Sequence, residues 1–231
     1  MERTTPRREP SAESGRAVPE RCSSCGSGLV TPIFCFSCDH IQPFSTVPDY
    51  FRLFGLPRAY DIDKTALEVA YQRLSFALHP DLQAGAVPPE KRKSERLAAD
   101  LNDGYRVLSS ESARGAYLLE LLAKGAKLNT RQLPPGFLQE MFVLQERIDE
   151  LGGATPAEAK RPPRDDAAGP LRGGVDGRLR ETLDERARLF REALAGRGPA
   201  RSEDLQALQS NLNQENYLRR LLERLATLSP V

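Results

Sequence analysis

All four cysteines of this 231-residue chain fall within the 17 positions 22–38, as Cys22-x2-Cys25, nine residues, then Cys35-x2-Cys38. Each pair fits one tight turn, with Gly26 directly after the first. Two such turns facing each other set four thiolates tetrahedrally around one ion. A block of this size has too few apolar residues to fold on its own core, so metal binding would supply its folding energy. Zinc is the first choice, and iron fits the same spacing. Four protein ligands leave no open position for catalysis, and His40 is surplus to the set. The alternative is four redox thiols without a metal. A disulfide scaffold would spread its cysteines through the chain, whereas this clustering points to a reducing compartment.

The remainder reads as helix. Leu, Ala, Arg and Glu dominate, Trp is absent, and 39% apolar with 28% charged residues suffices for a packed core. The spacing predicts a short helix over 49–54, ended by Gly55. The next is capped by Asp63, with Leu67, Tyr71, Leu74 and Leu78 on one face, and is stopped by Pro80. Pro88 and Pro89 open a third, with Leu97, Leu101, Tyr105 and Leu108 as its stripe; Gly104 inside it costs about 1 kcal/mol against Ala. A fourth carries Ala113, Tyr117, Leu118 and Leu121 and ends at Gly125. A fifth runs over 137–151. A sixth holds Leu179, Leu183, Ala187, Phe190 and Leu194. The last starts at a Ser202 cap, with Leu205, Leu208, Leu212, Leu218, Leu222 and Leu225.

The expected organisation is a disordered tail over 1–17, a metal module over 18–45, a helical unit over 46–115, and a C-terminal bundle over 116–231. That bundle carries a flexible Gly/Pro/Arg insertion at about 152–174. The net charge of +1 and the lack of a basic face give no sign of a nucleic-acid partner. No apolar run reaches the roughly 20 residues needed to span a bilayer. Residues 1–20 show no secretory signal. No nucleophile–base set or phosphate loop supports an enzyme.

His79, Pro80 and Asp81 follow the second helix and precede a Gly- and Pro-bearing loop. Taken alone, the histidine is a helix-end dipole partner and the proline a helix stop. Between two striped helices, the tripeptide sits at the exposed tip of a hairpin, where side chains meet partners. With Ala70, Tyr71, Gln72, Arg73 and Leu74, this stretch resembles the J-domain signature. Residues 49–56 (Asp-Tyr-Phe-Arg-Leu-Phe-Gly-Leu) resemble the opening helix of the HscB branch of J-proteins, the iron–sulfur co-chaperones. So do Leu101-Asn102-Asp103-Gly104-Tyr105 and the run 114–119, and 137–150 is similar to the start of that family's C-terminal bundle. The four-cysteine block is similar to that of animal-type members.

The resemblance implies an all-α fold: a J-domain hairpin, then an antiparallel helical bundle, with a small four-cysteine zinc module in front. It implies a co-chaperone that does no covalent chemistry. Its partners would be a heat-shock protein 70 class chaperone (HscA or DnaK type), met through His79, Pro80, Asp81 and Arg73, and an iron–sulfur scaffold protein (IscU type). The compartment would be cytoplasmic in a bacterium, mitochondrial or cytosolic in a eukaryote. The family's second helix is usually strongly basic; here Gln72 and Ala77 stand in it, Leu78 replaces the usual aromatic, and Leu82 follows the turn where Lys is common.

The fifth helix has a complete core stripe in Phe137, Met141, Leu144, Ile148 and Leu151. Leu138 and Phe142 lie about 100° away from it. They form either a wide stripe touching a second helix or an exposed patch for a partner. The resemblance implies the second, with Leu138 and Phe142, joined by Tyr217 from the last helix, as scaffold-binding positions. Gln139 replaces a further apolar contact there. Two other readings stand beside it. One is a general J-protein serving unfolded clients. The other is a zinc or redox module, or a nucleic-acid protein, built on the cysteines.

Overall fold

The computed structural model describes residues 20–43, 48–79, 88–152, 165–196 and 198–228. Nine elements occur among them: strands β1 (Phe34–Cys35) and β2 (His40–Ile41), then helices α1 (Tyr50–Leu53), α2 (Lys64–Ala77), α3 (Pro88–Ser109), α4 (Glu111–Ala123), α5 (Phe137–Gly152), α6 (Asp165–Ala195) and α7 (Ser202–Leu228). The fold is all-α apart from the two-residue antiparallel pair β1–β2, which pairs Phe34 with Ile41 and Cys35 with His40.

Local chemistry sets the helix ends. The Asp49 carboxylate accepts from the Arg52 N–H at the start of α1. The Asp63 carboxylate accepts from the N–H groups of Thr65 and Ala66 at the start of α2. Ser110 caps α4 through the Ala113 N–H, and Lys124 and Gly125, both at positive φ, close it. Helices α2 and α3 run antiparallel: Glu68 meets Tyr105, Tyr71 meets Asn102, and the Ser94 hydroxyl donates to the Leu78 carbonyl at 3.0 Å. The Tyr71 and Tyr105 rings stack at 4.3 Å.

Two apolar clusters form. The first joins α1 to α4 with the adjoining ends of α6 and α7, through Phe190, Ala193, Leu205, Leu208 and Leu212. It also takes in Ile33 and Phe34 of the cysteine block, so that block shares a core with the helices rather than standing apart. The second packs α5 (Phe137, Met141, Ile148) against α6 and α7 (including Leu171, Val175, Leu218 and Leu225). Helices α6 and α7 therefore run through both clusters, and α4 is continuous across the expected boundary at 115/116.

Gly104 is required by packing: a Cβ there would lie 2.9 Å from the Tyr50 ring and 3.0 Å from Phe54. Gly55 has φ +70°, and a Cβ would come within 2.6 Å of the Val30 carbonyl oxygen of the cysteine block.

One expectation needs correction. The insertion placed at 152–174 is helical from Asp165 onward. Leu171 and Val175 continue the row to Leu179 in the second core, four residues apart each time, and their burial overrides the Gly- and Pro-rich composition. Residues 153–164 and the tail at 1–17 lie outside the described residues.

Candidate functional sites

The four cysteines converge. Their sulfurs all lie within 4.8 Å of one another, with Cys22 to Cys38 at 3.6 Å and Cys25 to Cys35 at 3.7 Å. A tetrahedron with metal–sulfur bonds of about 2.3 Å has edges of about 3.8 Å, so the cage fits one ion of that class. Three donors already point at Cys22 Sγ: the N–H of Ser24 at 3.3 Å, the N–H of Cys25 at 3.5 Å, and Gln42 Nε2 at 3.3 Å. Donors aimed at sulfur stabilise a thiolate. The Cys25 N–H chiefly lowers the Cys22 thiol, against the opposing effect of burial, and with the Ser24 N–H and Gln42 brings it down to about 6. Desolvation and the neighbouring thiols push Cys38 up to about 12. The cage thus resists holding several bare thiolates, and a divalent cation would supply the missing charge.

Gln42 was not legible as a functional residue. It is wholly buried, and its Oε1 accepts from the Ser23 N–H at 2.9 Å. Its backbone carbonyl accepts from Lys93 Nζ of α3 at 2.6 Å. No sequence period marks such a residue; only its position four places after Cys38 hints at it.

The hairpin tip is described up to its first residue. His79 is exposed directly after the Leu78 C-cap of α2; Pro80 and Asp81 lie outside the described residues. Val69, Arg73 and Phe76 share the outward face of α2 that leads to this turn, and Phe76 is 72% exposed. The Arg73 guanidinium lies 4.5 Å above the Phe36 ring of the cysteine block.

The offset pair on α5 faces solvent. Leu138 is 56% and Phe142 64% exposed, while Phe137, Met141 and Ile148 on the stripe are buried. Of the two readings, the wide stripe touching a second helix is excluded for these side chains. Val143, 54% exposed, extends the patch, which the sequence reading missed because Val143 belongs to neither row. Tyr217 of α7 adjoins it half-buried, its ring edge-on to Phe137 at 5.8 Å and its hydroxyl donating to Gln145 Oε1 at 3.0 Å. Gln139 is also exposed beside it. Single exposed apolar residues are ordinary; here three large ones lie within two turns of one helix. Among the described residues no helix is long and apolar enough to cross a membrane.

No family model matches the chain. Related proteins do. The chain is 32% identical over 185 residues to the co-chaperone protein HscB homolog of Bordetella petrii, which covers 79% of this chain and 96% of that protein. It is 41% identical over 107 residues to the HscB homolog of an Azoarcus species, over 46% of this chain and 60% of the relative's length. The structure is similar to that of human co-chaperone HscB, with a TM-score of 0.64, 24% identity, and 90% of this chain and 97% of the human chain covered. It is also similar to the chaperone HscB from Vibrio cholerae, with a TM-score of 0.58, 23% identity, and 78% and 96% of the two chains covered. At these identities the two structures speak for the fold.

Proposed function

The chain belongs to the HscB family of co-chaperones, and on that premise we propose that it stimulates the ATPase of a heat-shock protein 70 class chaperone and presents an iron–sulfur scaffold protein to it. The observation that carries this reading is the separation of two surfaces on one framework. The hairpin tip at His79 belongs to the first core, and the exposed patch of Leu138, Phe142 and Val143 to the second. A protein that holds a client at one end and a chaperone at the other raises the effective concentration of each for the other. No bond is made or broken by the co-chaperone itself.

The residue roles follow from membership of the family, and the exposure of His79, Leu138 and Phe142 supports them. His79, Pro80 and Asp81 act on the chaperone's ATPase domain. Arg73 and Phe76 flank them on the outward face of α2, so this contact has an apolar share where the family is usually basic. Leu138 and Phe142, with Tyr217 at the edge, receive the scaffold. The four cysteines hold one structural zinc, which cross-links the two turns and leaves no ligand position open. Their thiols fit a reducing compartment, the cytoplasm if the source is a bacterium.

The test is chaperone ATPase turnover with wild type and His79→Gln. The variant is expected to lose stimulation while its stability changes by less than about 1 kcal/mol, as for an exposed site. Normal stimulation by the variant overturns the role given to the turn. A variant that unfolds makes His79 a structural residue instead.

A further inference from the structure

Both helices of the hairpin are tied to the cysteine module, one on each side of the functional turn. On α2, Arg73 lies over the Phe36 ring, which is itself set edge-on against the buried Phe34 at 5.1 Å. On α3, Lys93 donates to the Gln42 carbonyl. The Gln42 side chain reaches the other way, to Cys22 Sγ. One buried residue thus touches a metal ligand with its side chain and the hairpin with its backbone. The next residue of α3, Ser94, donates to Leu78, the last residue before His79. The chain of contacts runs from sulfur through Gln42 and Lys93 to the base of the turn.

We propose that occupancy of the four-cysteine site regulates the chaperone-stimulating turn, with the metal-loaded module acting as a clamp on α2 and α3. This rests on the functional reading above. Among the described residues the module's own regular structure is one two-residue strand pair and two isolated bridges, too little to fix Phe36 and Gln42 without the bound ion. With the cage loaded, both anchors are in place and the ends of α2 and α3 on either side of the turn are held. With the cage stripped, Phe36 and the Gln42 carbonyl are no longer held against Arg73 and Lys93, and the ends of α2 and α3 next to the turn open more often. The scaffold patch on α5 belongs to the other core and is outside this chain of contacts. A cell short of the metal would then keep a co-chaperone that binds scaffold but delivers it poorly.

The experiment compares full-length protein loaded with zinc, stripped by a chelator, and reloaded. Three readouts are taken: amide hydrogen exchange over 74–79 and 91–97, stimulation of the chaperone ATPase, and scaffold affinity. Stripping is expected to speed exchange in those segments by at least about tenfold, which is about 1.4 kcal/mol of local opening. Stimulation should fall at least about threefold, scaffold affinity should hold, and zinc should restore all of it. The variants Lys93→Met and Phe36→Ala cut the clamp while the four ligands remain. Each should keep one metal per chain yet show the faster hairpin exchange even when loaded. Unchanged exchange and stimulation after stripping, or loaded variants whose hairpin exchanges like wild type, would overturn the clamp. If loaded wild type gives no stimulation, the functional reading falls, and the exchange data still decide the coupling.

Discussion

Arg186→Met tests the packing between the helical hairpin unit and the bundle most sharply. Arg186 of α6 is fully buried and forms an ion pair with Glu215 of α7, also buried. Its Nε donates to Asn211 Oδ1 at 2.9 Å. Glu215 in turn accepts from the Ser112 hydroxyl of α4 and from Arg219 Nε at 2.7 Å. Burial alone would raise the Glu215 pKa, but the Arg186 charge, followed by the Ser112 and Arg219 hydrogen bonds, outweighs it and leaves the carboxyl below its ordinary value. Removing one partner of a buried pair costs about 3–5 kcal/mol, because the other charge stays inside uncompensated. Arg219 still shares that charge, so about 3 kcal/mol is expected. For a chain of this size that is a drop in Tm of roughly 6–12 °C.

The double variant Arg186→Met, Glu215→Met removes both charges and should lose less than the single one, since apolar replacements of buried pairs are often near neutral. The pH dependence has a fixed sign. A carboxyl with a lowered folded pKa contributes its stability above the ordinary value of about 4.3, and loses it as pH falls through the lower folded value. The gap between wild type and Arg186→Met should therefore narrow in acid. Urea denaturation across pH measures all three quantities. A loss below about 1 kcal/mol, a double variant worse than the single one, or a gap that widens in acid would refute the reasoning.

Elemental analysis should find one zinc per chain, and Cys35→Ser should abolish it; because Ile33 and Phe34 lie in the shared core, the helical signal should persist at 25 °C while Tm falls. An unchanged Tm would mean the block is not part of that core. Gly104→Ala gains about 1 kcal/mol of helix propensity but places a methyl 2.9 Å from the Tyr50 ring, and overpacking of this kind costs about 1–3 kcal/mol. A net loss of about 1 kcal/mol is expected, and a rise in Tm contradicts the close packing of α1 on α3.

What the sequence disclosed follows from which forces act locally. The stripes of α2 and α3 were legible because Leu67, Leu74, Leu97, Leu101 and Leu108 bury one face of helices that pack on a single side. The Asp63 cap was legible because a cap is a contact within four residues; Asp49, read as the first helical residue, proves to be the cap of α1. The metal cage was legible because the ligands announce themselves by type and spacing.

Helix α6 was read less well. It packs on two clusters and its central buried face holds Thr182 and Arg186, so the expected row of Leu183 and Ala187 is only half-buried. The spacing 182, 186, 190 was available, but a charged residue hides a core position unless its partner is known, and Glu215 is 29 residues on. The docking of the cysteine block was also hidden. Its contacts through Phe34, Phe36 and Gln42 are to residues far along the chain. That the four cysteines form one ligand cage was readable; that their block also borrows the helices' core was not.

The most direct test of a co-chaperone that couples two partners is the chaperone ATPase rate measured with scaffold titrated in, for wild type and for Leu138→Ala, Phe142→Ala. Both side chains are exposed, so the double variant should melt within a few degrees of wild type. Hot-spot truncations of this kind cost about 1–4 kcal/mol of binding, so scaffold affinity should fall at least about tenfold. Stimulation without scaffold should survive, and the extra stimulation that wild type gains from scaffold should vanish. Equal gains from scaffold in wild type and variant, with both folded, would contradict the claim that this face of α5 carries the client to the chaperone.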